Sequence, residues 1–117
     1  LHSIEEPTLE GNTFTVRRTK DGDSGMLHNT VLLPQTDNLR IDKIGGPGKE
    51  NWVFGTNYPN DAVAYLDNAN ERGAWRVEVS PVAPAVTDNF LNVIQVADNR
   101  CNKLNAVQRI EDDRIVG

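Results

Sequence analysis

The sequence predicts an all-β fold, an antiparallel two-layer β-sandwich of six or seven short strands. Residues 74–80 alternate without a fault, with Trp75, Val77 and Val79 on one side and polar side chains on the other. An Asp-Gly pair at residues 21–22 separates two β-prone runs, as in a hairpin. Turn residues recur at short intervals, and a chain of 117 residues is the size of one domain, which we place over residues 1–117.

The first predicted unit is a hairpin of residues 13–19 and 26–33. Threonine and apolar residues alternate in the first run, and the second ends at Pro34. Residues 21–25 also resemble the opening of a calcium-binding loop, but they lack its glycine at the sixth place and its closing glutamate. The turn is therefore the favoured interpretation, with calcium binding left as its alternative.

Residues 38–44 predict the next strand, which leads into a glycine-rich stretch at residues 45–50. That stretch lacks the spacing of a phosphate-binding loop, so we interpret it as a tight surface loop. A short strand with an aromatic pair follows at residues 51–55, and residues 61–70 are weakly helical or irregular.

The centre of the domain is predicted from residues 73–98. After the alternating strand, Pro81 and Pro84 prevent a continuous ladder. Residues 90–96 are apolar on both parities, which predicts a strand covered on both faces. We therefore expect six buried side chains here: Trp75, Val77, Val79, Phe90, Ile94 and Val96. A last strand is predicted at residues 104–110.

Composition limits the class of partner. A net charge of −5 and a pI near 4.9 argue against nucleic acid as the main partner. The single cysteine, Cys101, excludes an internal disulfide and a multi-cysteine metal site. No apolar run approaches the ~20 residues of a membrane span. We expect no cofactor and no membrane association.

No catalytic group of residues is recognisable. His28 lies alone in a predicted strand, without the orienting partner that a general base requires, and a structural role is the favoured interpretation. The serines occupy no nucleophile elbow, and the isolated thiol of Cys101 is expected to be inert.

A carbohydrate-binding surface is the remaining candidate site. Sugar rings stack on exposed aromatic side chains, and cations pair with carboxylate or sulfate groups. Four candidates surround the glycine-rich loop in sequence: Trp52, Tyr58, Arg40 and Lys49. The alternative is that Trp52 and Phe54 are core aromatics.

Several segments resemble the C-terminal β region of heparinase II/III-family polysaccharide lyases. They run in the expected order over most of the chain: residues 1–7, 11–13, 32–34, 44–50, 57–59, 75–81 and 90–94. The resemblance implies an enzyme with an α/α toroid and β-sandwich domains that cleaves acidic polysaccharide by β-elimination. The catalytic Tyr and His motifs of the family have no match here, and Tyr58 is not that tyrosine.

The resemblance implies that this chain is a non-catalytic C-terminal portion of a longer lyase, secreted or periplasmic. Its implied partners are the catalytic toroid domain of the same parent chain and an acidic, heparin-like or other uronate-containing polysaccharide such as a glycosaminoglycan. An independent carbohydrate-binding module and a structural or adhesive sandwich are the alternatives. Because residues 115–117 look like the start of a strand, we also expect a homo-oligomer formed by strand exchange.

Overall fold

The structure, a computed structural model, describes residues 1–20, 22–58, 73–101 and 103–112. This part of the chain is antiparallel β with one short 3₁₀ turn, Thr36–Asn38, which confirms the predicted fold class. It holds nine strands, four of them only two or three residues long. These are β1 His2–Ser3, β2 Thr8–Glu10, β3 Thr13–Lys20, β4 Asp23–Leu33, β5 Leu39–Gly45, β6 Trp52–Val53, β7 Thr56–Asn57, β8 Trp75–Pro81 and β9 Leu91–Ala97.

Two sheets form the sandwich. The larger sheet has the strand order β2-β3-β4-β9, and the smaller has the order β1-β8-β5. Phe14 of β3 and Val31 of β4 pack against Val77 of β8, and all three side chains are at most 4% exposed. Partly buried residues of the smaller sheet complete this core: Leu39, Ile41 and Val79. Burial of this apolar surface holds the two layers together.

The predicted hairpin is confirmed. Strands β3 and β4 pair over eight positions, from Thr13↔Thr30 to Lys20↔Asp23. Only two residues remain between the strands, and the second of them, Gly22, has a φ of +89°. A glycine adopts this conformation without a steric penalty, which explains the Asp-Gly sequence at the turn.

The alternating strand in the middle of the chain is also present, as β8. Val77 is buried, Trp75 and Val79 are half-buried, and Glu78 is exposed on the opposite side. Residues 82–90 form an exposed connection to β9. This connection joins the two layers, because β8 pairs with β5 while β9 pairs with β4.

The predicted burial of β9 on both faces is wrong. Phe90 precedes the strand and is 53% exposed, Ile94 is 55% exposed and Val96 is 78% exposed. The cause is visible along one cross-strand row of the larger sheet, in which exposure rises from 2% at Phe14 to 7% at Asn29 and 55% at Ile94. Since β9 is the edge strand, the smaller sheet covers β3 and β4 but leaves the apolar side chains of β9 open.

The strand predicted at residues 104–110 is absent; residues 103–110 form an irregular segment. The side-chain amide of Gln95 binds both backbone groups of Asn105: it accepts from the N–H at 2.9 Å and donates to the carbonyl at 3.2 Å. One side chain thus holds the segment where a strand would use its backbone. Gln95 pairs with His28 in the ladder, so this contact places the segment at the outer face of the larger sheet.

Two sequence-based predictions fall outside the described residues: the weakly helical stretch at residues 61–70 and the strand start at residues 115–117. In the part of the chain that is described, no helix is long and apolar enough to span a membrane.

Candidate functional site

The structure places two of the four predicted sugar-binding residues in contact. They lie at the small β6–β7 hairpin, where the Lys49 Nζ atom sits 5.3 Å from the centre of the Trp52 ring. The ring is half-buried, and the ladder pairs Trp52 with Asn57. The ammonium group therefore occupies part of the surface on which a sugar ring would stack.

Tyr58 belongs to the other face of the same hairpin. Its backbone N–H donates to the carbonyl of Asn51. Tyr58 and Asn51 are therefore paired one position beyond Trp52 and Asn57, on the same face as Val53 and Thr56. Side chains at successive positions of a ladder point to opposite faces, so Tyr58 and Trp52 do not share one flat platform. Tyr58 is 55% exposed and Phe54 is fully exposed, which rules out the interpretation of Phe54 as a core aromatic.

Arg40 lies apart from these residues. It is the second residue of β5, and Gly45 is the last. The five positions between them span roughly 16 Å along the strand. The Arg40 Nε atom is 2.9 Å from the carboxylate of Asp42. The structure thus brings Lys49 and Trp52 together, and it places Tyr58 on the other face of the hairpin and Arg40 near the start of β5.

A polar cleft of about 580 Å³ lies at the outer face of the larger sheet. Its walls are β2 and β3 on one side and the segment after β9 on the other. The lining residues are Thr8, Glu10, Thr13, Thr15, Arg17, His28, Cys101, Lys103 and Leu104. The lining residues on β2, β3 and β4 lie on one face of the sheet. Directly paired residues share a face, as do residues two positions apart on one strand, and each of these residues is related to another in one of these two ways.

His28 forms part of this cleft and is only 6% exposed. Its Nδ1 atom lies 2.8 Å from the Thr15 hydroxyl, across the β3–β4 ladder. The Nε2 atom is buried and has no hydrogen-bond partner. Burial lowers the pKa of His28, and the positive charge of Arg17 lowers it further, so the ring is neutral at pH 7.

The cleft also holds the two cations that have no partner in the described part of the chain. Six other cations there form ion pairs with carboxylates: Arg18, Arg40, Lys43, Arg76, Arg100 and Arg109. Lys49 lies over Trp52. Arg17 and Lys103 remain, and both line the cleft. Against them stands one carboxylate, that of Glu10, so the cleft is locally positive in a chain of net charge −5.

The reactive side chains of the cleft are constrained in this conformation. The unpartnered Nε2 atom of His28 is closed to solvent, so it cannot take a proton from a substrate in this conformation. The thiol of Cys101 lies 3.3 Å from the carbonyl oxygen of Lys103, and the side chain is partly buried. Among the described residues, no group of three acidic, histidine or cysteine side chains could hold a metal ion.

The sequence interpretation missed this cleft, although one signal for it is present. Thr13, Thr15 and Arg17 share a strand parity, as Thr8 and Glu10 do, which marks a polar outer face. Lys103 gives no such signal, since an irregular segment brings it to the sheet.

Comparison with models of known protein families finds no family that matches this chain. The search against characterised proteins likewise finds no significant match.

Proposed function

We propose that this chain is a non-catalytic β-sandwich portion of a polysaccharide lyase that cleaves acidic, uronate-containing polysaccharide by β-elimination. The sequence resemblance supplies the lyase, its toroid partner and its secreted or periplasmic location. The observation that carries the proposal is an open apolar surface at the edge of the larger sheet, suited to contact with another domain.

That surface, called here the apolar strip, consists of Phe90, Ile94 and Val96. The three side chains are 53%, 55% and 78% exposed. Ile94 and Val96 pair with Asn29 and Leu27, so they lie on the face of the sheet that also carries the core residues Phe14 and Val31. The strip therefore extends the core past the smaller sheet. We infer that the catalytic toroid of the same parent chain covers it, as apolar surfaces next to a core are covered in multidomain enzymes.

The buried free nitrogen of His28 supports the non-catalytic part of the proposal. β-Elimination requires a base at the proton next to the uronate carboxyl group, and a second group that neutralises that carboxylate. His28 and Arg17 line the same cleft, but the free nitrogen of the histidine is buried. The remaining histidine, His2, lies in the two-residue strand β1, which pairs with β8 of the smaller sheet.

The test compares this chain with the longer polypeptide that contains it. Each is incubated with heparan sulfate, hyaluronan and alginate, and the absorbance of unsaturated uronate is followed. We expect a rise with one of these polymers for the longer polypeptide and none for the chain alone. A rise for the repurified chain alone would refute the non-catalytic role, and no rise for the longer polypeptide would refute the lyase.

Ile94→Lys tests the domain contact. In the isolated chain, at a concentration low enough to keep it monomeric, this exposed substitution should change the free energy of unfolding by no more than about 0.5 kcal/mol. In the longer polypeptide it places a charge in an interface and should lower the thermal midpoint. Val82→Lys, at a residue that is 62% exposed and outside the strip, is the matched control. Equal effects of the two variants in the longer polypeptide would contradict the contact.

A carbohydrate-binding module is the second candidate, favoured by the exposed rings of Phe54 and Tyr58 at the β6–β7 hairpin. Uronate oligosaccharides stacking on this hairpin should quench the fluorescence of the nearby Trp52, and Tyr58→Ala should weaken the effect. No change at millimolar sugar would count against this candidate.

A further inference from the structure

We propose that the cleft at the outer face of the larger sheet binds a small polyhydroxylated carboxylate, such as a single uronic acid unit. The inference deepens the proposed function, on which the choice of a sugar acid partly rests. It gives the cleft a ligand class and assigns the recognition to Arg17 and Lys103 rather than to the hairpin around Trp52.

The two unpartnered cations indicate that the ligand is an anion. In a chain whose carboxylates outnumber its cations, six of the described cations form ion pairs and a seventh lies over an aromatic ring. Arg17 and Lys103 come from segments more than eighty residues apart and line one cleft without either kind of partner. Two free cations on facing walls attract an anion, and a guanidinium group binds a carboxylate through two parallel hydrogen bonds.

The other lining groups define what the rest of the ligand should carry. Thr8 and Glu10 present a hydroxyl oxygen and a carboxylate on β2, and both accept hydrogen bonds. A ligand with only anionic oxygens would be repelled by Glu10. A ligand with a carboxylate at one end and hydroxyl groups at the other would satisfy the cations and donate to the acceptors, which is the chemistry of a sugar acid.

His28 provides the second, independent observation. It is more than nine-tenths buried, it forms part of the cleft, and its Nε2 atom has no partner. Leaving such a group unsatisfied costs roughly 1–3 kcal/mol. Because Nε2 is closed to solvent in this conformation, a ligand group gains this pairing only if the cleft opens toward the ring on binding. A sugar hydroxyl can either donate or accept, so it suits both tautomers of the ring. Only the irregular segment around Cys101 and Lys103 lines the other wall, and no strand ladder holds that segment in place.

The experiment titrates the isotope-labelled chain with glucuronate and follows the amide signals of the cleft and the ring signals of His28 by NMR. Acetate, glucose and inorganic sulfate are titrated in parallel. We expect glucuronate to bind at least about tenfold more tightly than any of the three, since loss of one charged hydrogen bond costs about that factor. The shifts should map to Thr15, Arg17 and Lys103. Sulfate binding as tight as glucuronate would overturn the ligand class.

Two substitutions locate the site. Arg17→Gln should weaken glucuronate binding about tenfold or more without changing the folded spectrum. Arg76→Gln is the matched control, because it removes a cation of the same kind that pairs with Glu78 on the smaller sheet. Equal binding by both variants, or shifts confined to the Trp52 hairpin, would overturn the inference.

Failure here can be told apart from failure of the proposed function. If the longer polypeptide degrades an acidic polymer but glucuronate leaves the cleft signals unchanged, the binding site is wrong and the lyase assignment stands. If glucuronate binds in the cleft while the longer polypeptide degrades nothing, the lyase assignment is wrong and the site stands.

Discussion

The Thr15 hydroxyl and the Nδ1 atom of His28 lie 2.8 Å apart on directly paired positions of β3 and β4. This contact fixes the imidazole ring against the outer face of the larger sheet and leaves its other nitrogen buried without a partner. It links the fold to the cleft, because the same ladder that pairs Thr15 with His28 also pairs Arg17 with Met26, two positions along.

The buried histidine predicts a dependence of stability on pH. Burial and Arg17 lower the pKa of His28 below the ordinary value of 6.5, so the unfolded chain takes up the proton first as the pH falls. Stability from this residue is therefore full above about pH 6.5 and declines as the pH falls through the folded pKa. Arg17, Glu10, Cys101 and Lys103 are the other charged or titratable groups of the cleft.

Urea unfolding of the wild type and His28→Gln measures this dependence. The difference in unfolding free energy between the two should be constant above pH 7 and should narrow below pH 6.5, because glutamine does not titrate. A difference that stays constant down to pH 5 would contradict a lowered pKa.

Core packing predicts that Val77→Asp unfolds the domain. Val77 is 4% exposed and contacts the core from β8, so the substitution buries an unpaired carboxylate, which costs several kcal/mol. Circular dichroism on heating should show no cooperative transition. Val86→Asp, at a fully exposed position, is the control and should keep the wild-type midpoint. A folded Val77→Asp variant would show that the two sheets do not pack through this residue.

Two glycines with nearly equal backbone angles allow a matched comparison. Gly46 has a φ of +82° and Gly48 a φ of +79°, so alanine at either position pays a similar cost of about 1–2 kcal/mol. At Gly46 the new methyl group would also lie 2.7 Å from the Trp75 ring, whereas nothing lies within 4 Å at Gly48. Gly46→Ala should therefore be the more destabilising, by about 1–3 kcal/mol of overpacking, with a change in tryptophan fluorescence. Equal losses of stability would place Trp75 elsewhere.

The sequence was sufficient to locate strands and turns where the local pattern agrees with the tertiary structure. The alternation of Trp75, Val77 and Val79 located β8, and the Asp-Gly pair located the β3–β4 turn. Both signals are short-range, since the period of a strand and the backbone angles of a turn depend on adjacent residues.

The errors concern features set by distant parts of the chain. The residues around Ile94 and Val96 do not indicate that β9 is an edge strand, which the smaller sheet leaves uncovered. Likewise, the segment after β9 alternates like a strand, but Gln95 takes over its backbone hydrogen bonds at Asn105. The cleft was missed for the same reason, because Arg17 and Lys103 meet only through the fold.

The apolar strip predicts that the isolated chain self-associates. Strand β9 ends the larger sheet, and no described strand pairs with its outer edge. Free strand edges recruit other chains, and here Ile94 and Val96 add exposed apolar surface at that edge. We expect sedimentation velocity at two concentrations to show a dimer whose share grows with concentration. Val96→Lys should shift the chain toward the monomer. The control is Val86→Lys, which also replaces an exposed valine but lies on the connection before β9, and it should leave the dimer unchanged. A monomer at both concentrations would contradict self-association. If the proposed toroid domain covers the strip, the longer polypeptide should stay monomeric.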